Sequence, residues 1–162
     1  MSTRNFRSHH PYQHPSAWMG ADMARRNDWV VQLGKTDNLE IREALAHAKS
    51  NGLGIPELTA AGFPLPALKP RLHALVKEVV NERGFALIRG LVIDDLPVQD
   101  AALIYWGIGS HMGASRAQNA QGDMLGHVTD LGVNFQTDPN VRGYQTRQHL
   151  PFHNDASDVV GL

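Results

Sequence analysis

The chain has 162 residues, the size of one ordinary domain, with 42% apolar and 19% charged residues, a globular composition. Fifteen basic residues meet sixteen acidic ones for a net charge of −1, which argues against a dedicated binder of nucleic acid or of an anionic membrane. There is no Cys, so disulfide scaffolds, zinc fingers, iron–sulfur sites and Cys nucleophiles are excluded, and any metal site must draw on His, Asp, Glu or backbone oxygen.

The longest apolar runs are a few residues, against the roughly 20 that span a bilayer. No membrane partner is expected. Residues 1–17 read as a flexible polar tail in which His9, His10 and His14 lie between prolines. Nothing local fixes those imidazoles, so they read as solvated rather than as a metal site. The tail lacks an apolar h-region and is not a secretory signal. Arg4 and Arg7 with no acid before Asp22 are faintly like a presequence, but Pro11, Pro15 and the missing apolar face count against it. Cytoplasm is the default expectation.

Asp22 to Leu33 reads as a short helix carrying Met23, Trp29, Val30 and Leu33. Asp37 followed by Glu40 fits a capping box at the start of a second helix, with Leu39, Ala44, Leu45 and Ala48 on its apolar side and Asn51-Gly52 as its stop. Leu53 to Pro66, with three X-Pro pairs, is a connection. Leu68, Leu72, Leu75, Val76, Val79 and Val80 then fall at helical spacing, and Gly84 ends that helix. Phe85 to Arg89, bounded by Gly84 and Gly90, reads as a buried strand. Pro97 to Ile108 is a further helix, with Pro97 suited to its start.

From Gly109 onward helical periodicity stops. Glycines punctuate short runs over 124–128, 133–135, 144–146, 150–153 and 159–162, which read as loops and short strands. The last run opens just as the sequence stops. A strand needs a partner for its backbone groups, so the expectation is a fragment of a longer domain. Residues 18–162 are then expected to belong to one such domain.

The chemically pointed spot is His153-Asn154-Asp155. On an extended strand, positions i and i+2 share a face, and an imidazole and a carboxylate so placed can converge on one cation. Two His and one carboxylate around an open metal face are the signature of non-haem Fe(II) oxygenases. With nine His in the chain, chance supplies about one His-x-Asp, so the pair alone carries almost no weight. Its surroundings carry more.

Those surroundings are Gly84 to Gly90, Ile108-Gly109, Gly126-His127-Val128, Arg142 to Thr146, Leu150 to Asp155, and Asp158 to Leu162. In order and spacing they resemble the taurine dioxygenase-like (TauD/TfdA-like) family of Fe(II)- and 2-oxoglutarate-dependent oxygenases. The resemblance covers residues 65–162 well and 18–64 loosely. It implies an α+β chain whose N-terminal helices lead into part of a double-stranded β-helix, or jelly roll, of the clavaminate synthase-like kind, with the barrel incomplete here. It implies His153 and Asp155 as the first two iron ligands. The third ligand, a His, and the Arg that clamps 2-oxoglutarate would lie downstream of Leu162. The implied reaction consumes 2-oxoglutarate and O₂, yields succinate and CO₂, and hydroxylates a C–H bond of a small molecule.

His149, four residues before His153, sits where such enzymes can face substrate, but a solvated loop His explains it as well. His127 reads as a core or turn residue rather than a third ligand. Arg142 and Arg147 could approach an anionic substrate or be solvated charges, Arg89 reads as a structural hydrogen-bond donor, and Trp18, Trp29 and Trp106 read as packing residues. Two rivals remain open. One is a catalytically inactive, degenerate member or adaptor that lacks the third ligand. The other is an unrelated jelly roll that binds a divalent ion or a sugar without redox chemistry.

Overall fold

The computed structural model describes residues 13–119, 122–134, 137, 141, 143–150, 153, 155 and 157–162. The chain runs α1 (Gly20–Met23), β1 (Val30–Gln32), α2 (Lys35–Ser50), α3 (Lys69–Asn81), β2 (Leu87–Arg89) and α4 (Val98–Ser110), then a 3₁₀ turn at Gly143–Gln145. Two of the tail histidines, His9 and His10, lie outside the described residues.

The expected helix over Asp22–Leu33 is corrected to a single turn followed by a strand. The Trp29 indole N–H donates to the Arg26 carbonyl at 2.9 Å and closes the turn. β-Branched Val30 and Val31 then favour extension. β1 pairs in parallel with β2, in the register Val30↔Leu87, Val31↔Ile88, Gln32↔Arg89. Parallel strands need a long crossover, and α2 with α3 supplies it.

In α2, Ile41, Ala44, Leu45 and Ala48 repeat at 3, 1 and 3 residues and are all buried, whereas Leu39 is exposed. Asp37 is not the cap. Gly34 occupies that position, and Asp37 sits three residues on, its Oδ2 accepting the Gly34 N–H at 2.8 Å. Asn51 caps the other end, and Gly52 follows at φ 65°, the left-handed region that glycine enters without penalty.

The connection after α2 is part of the core. Leu58, Phe63, Leu65 and Leu68 are each at most 2% exposed and meet the α2 face, Leu72 of α3, and Ile104, Trp106 and Ile108 of α4. α4 and its C-cap are locked to this connection by three contacts. The Trp106 indole N–H donates to the Leu58 carbonyl at 2.8 Å, Gly107 leaves room for the Phe63 ring, and His111 Nε2 lies 2.7 Å from the Phe63 carbonyl. Lys49 and Asp100 add an ion pair between α2 and α4 at 2.6 Å.

Two further expectations are corrected. The strand at 85–89 is not buried: it spans only Leu87–Arg89, with Leu87 and Arg89 exposed and Ile88 half-buried, because it pairs along one edge with β1 alone among the described residues. The runs expected as strands beyond Gly109 contain none among the described residues. A short apolar run becomes a strand only beside a hydrogen-bonding neighbour. Among the described residues, backbone bonds from Thr129 N–H to Tyr144 O at 3.2 Å and from Leu131 N–H to Gln145 O at 2.8 Å clip two of these stretches together. Phe135, Pro151 and Phe152 of those runs lie outside the described residues. No helix among the described residues is long and apolar enough to cross a membrane.

Candidate functional site

The segment leading to His153 is built by its own small residues. Thr146 Oγ1 donates to the Gly143 carbonyl at 3.0 Å and accepts the Gln148 N–H at 3.2 Å. Gly143 has no Cβ because Leu150 packs where one would stand. The Arg147 Nε meets Asp130 Oδ2 at 2.8 Å, so the side chains reinforce the backbone clip between 129–131 and 144–145. The Gly132 N–H first, and the Arg147 guanidinium after it, lower the Asp130 pKa below the ordinary carboxylate value. This assigns Arg147 a partner within the chain. Arg142 lies outside the described residues.

His153 and Asp155 come together. Nε2 of the imidazole stands 3.6 Å from Oδ1 of the carboxylate, and both side chains are a little over half exposed. Two ligand atoms at right angles on one cation, each about 2.1 Å from it, are about 3.0 Å apart. The pair is therefore within roughly half an ångström of spanning adjacent positions on one metal ion, and its donors, imidazole nitrogen and carboxylate oxygen, suit divalent iron. No group of three or more His, Asp or Glu that could hold a metal occurs among the described residues. His149 is exposed, and so is His127, which leaves the turn rather than the core half of its expected reading.

The segment after Asp155 reaches back to α4. Residues 157–162 are described, and Gly161 lies against Tyr105: a Cβ on Gly161 would stand 2.5 Å from the Tyr105 hydroxyl oxygen. Burial raises the Tyr105 pKa above its ordinary value. Sequence reading misses this contact, and also buried His111, whose Nδ1 has no hydrogen-bond partner. No local pattern marks either one.

A helical entry and a short strand precede an exposed His-x-Asp pair, and comparison with known proteins places this arrangement in a family. The family model described as "Taurine catabolism dioxygenase TauD, TfdA family" matches residues 42–162, so the chain belongs to that family. The match begins within α2, upstream of the stretch that the motifs cover best. Among curated proteins, the chain is 29% identical over 147 residues to FR-33289 synthase of Streptomyces rubellomurinus, covering 91% of this chain and 43% of that protein. It is 29% identical over 152 residues to a taurine hydroxylase-like protein of Stachybotrys chartarum, covering 90% of this chain and 40% of that protein. The chain thus spans less than half the length of these relatives. The family's fold is a jelly roll and its reaction type is Fe(II)- and 2-oxoglutarate-dependent oxygenation.

Proposed function

We propose that this chain carries part of the active site of an Fe(II)- and 2-oxoglutarate-dependent dioxygenase that hydroxylates a C–H bond of a small molecule. The supporting observation is the 3.6 Å approach of His153 Nε2 and Asp155 Oδ1 within the family-matched region. On this reading His153 offers its Nε2 lone pair and Asp155 an anionic oxygen to one Fe(II) ion. The carboxylate offsets part of the metal's charge. Bound iron supplies the activation of O₂ that couples 2-oxoglutarate decarboxylation to substrate oxidation.

The chain's other residues on this reading set shape rather than chemistry. The Gly143–Leu150 contact and the Arg147–Asp130 pair hold the approach to His153, and His149, exposed four residues earlier, faces substrate. The third ligand and the Arg that pairs with the distal carboxylate of 2-oxoglutarate come from sequence corresponding to the unmatched part of the relatives. The jelly roll is of the clavaminate synthase-like kind, completed by that same sequence.

The test is succinate formation from 2-oxoglutarate by the intact protein, with Fe(II) and O₂, for wild type, His153→Ala and Asp155→Ala. Loss in both variants, with unchanged circular dichroism, is the expected result. Turnover that survives either change overturns the ligand assignment. A wild-type protein that binds Fe(II) but never consumes 2-oxoglutarate overturns the dioxygenase reading in favour of a non-redox or degenerate family member.

A further inference from the structure

We infer that Tyr105 is a positioning residue for the His153–Asp155 pair, acting through Gly161. The inference rests on the proposed metal-binding role of that pair. Tyr105 stands on α4, which is packed into the core. Its neighbours Ile104 and Trp106 are 0% and 7% exposed, and α4 is bound to the 58–63 connection through Trp106, Gly107 and His111. Tyr105 itself is 40% exposed and points its hydroxyl at Gly161.

Gly161 follows Asp155 by six residues. The described part of that stretch, 157–162, is exposed and forms no helix or strand, and at Gly161 it meets Tyr105 of the folded body. Disturbing groups that hold metal ligands in orientation costs about 10–100-fold in metal affinity when they touch the ligands directly, and a contact six residues along the chain acts on the same orientation with a smaller effect.

The contact also explains the glycine. Gly161 is absent from the residues at positive φ, so its backbone does not require glycine. What an added Cβ would displace is the Tyr105 hydroxyl: the Cβ would lie 2.5 Å from the hydroxyl oxygen, but 3.4 Å from Cζ and 3.8 Å from Cε2, so Gly161→Ala pushes the phenol tip away from the segment. Removing the hydroxyl alone therefore leaves space for alanine at ordinary contact distance.

This geometry sets a rescue experiment in the intact protein. Gly161→Ala, Tyr105→Phe and the double variant are compared by Co(II) titration, read from the visible absorption of the bound ion, and by hydrogen exchange of residues 153–162 in the metal-free protein. Gly161→Ala is expected to weaken Co(II) binding several-fold and to speed exchange across 153–162. The double variant is expected to recover both. Wild-type Co(II) affinity in Gly161→Ala, or no recovery in the double variant, overturns the inference. If wild type takes up no Co(II), the metal reading fails, while the exchange pattern still decides whether Tyr105 orders the segment.

Discussion

Glu40 of α2 caps α3. Its two carboxylate oxygens accept the backbone N–H groups of Ala67 and Leu68 at 2.6 and 3.0 Å, where α3 would otherwise leave donors unpaired. The negative charge also lies at the positive end of the helix dipole. One side chain thus ties two helices together across the connection that carries Phe63. Glu40→Ala is expected to lower stability by about 1–2 kcal/mol. The urea midpoint should fall with little change in slope, and an unchanged midpoint would refute the capping role.

Two glycines of α4 separate room from propensity. At Gly107 an added Cβ would strike the Phe63 ring, which is fully buried, whereas at Gly109 it would meet nothing within 4 Å. Gly107→Ala is expected to destabilise by about 1–3 kcal/mol through overpacking. Gly109→Ala should instead stabilise by roughly 0.5–1 kcal/mol, because alanine loses less backbone freedom in a helix. Thermal melts of the two variants should move in opposite directions.

The acid limb of stability should carry the signature of Asp28. Arg26 grips this carboxylate with two bonds, at 2.9 and 2.5 Å, and Arg83 adds a third at 2.9 Å. The side-chain bond from Arg26 is the main cause that lowers its pKa from 3.8 to about 2. A depressed folded-state pKa means that the unfolded chain takes up the proton first. The contribution is therefore present above about pH 4 and is lost as pH falls toward 2. Asp37, Asp95 and Asp130 are shifted in the same direction. Urea titrations between about pH 5 and 2.5 should show stability falling. The fall should be shallower in Asp28→Asn, and an identical slope would exclude Asp28 as a source.

Metal binding should appear as stability. A ligand that binds only the folded state at a hundred times its Kd adds about 2.7 kcal/mol. Co(II) is therefore expected to raise the Tm of the intact protein, and chelation by EDTA to reverse it. Asp155→Asn should lose most of the rise. A rise of equal size in that variant would point to ligands elsewhere.

The parts legible in sequence were those governed by local spacing. The apolar face of α2, the Leu68–Leu72–Leu75 stripe of α3 and the Pro97 start of α4 all follow from a 3.6-residue period, and each appears near its expected bounds. The His153–Asp155 pair was visible as a motif because its two members lie two positions apart. What failed depended on distant partners. Val30 and Leu33 fit a helical stripe, but a partner strand at 87–89 draws Val30 into β1. Glu40 reads locally as half of a capping box, yet it serves a helix that begins 29 residues later. The runs after Gly109 have the composition of strands, and composition does not supply a neighbour. Tyr105 and Gly161 lie 56 positions apart, so no window of sequence joins them.

The parallel pairing of β1 with β2 also orders events in time. Val30 cannot meet Leu87 until the intervening chain, α2 and α3 included, has been synthesised and drawn back on itself. Helices close through neighbours three and four residues away, whereas this pairing must first overcome the entropy of a long loop. Folding should therefore begin in the helical stretch and join the strands afterwards. On the ribosome, β1 would emerge first among the two strands and wait longest for its partner.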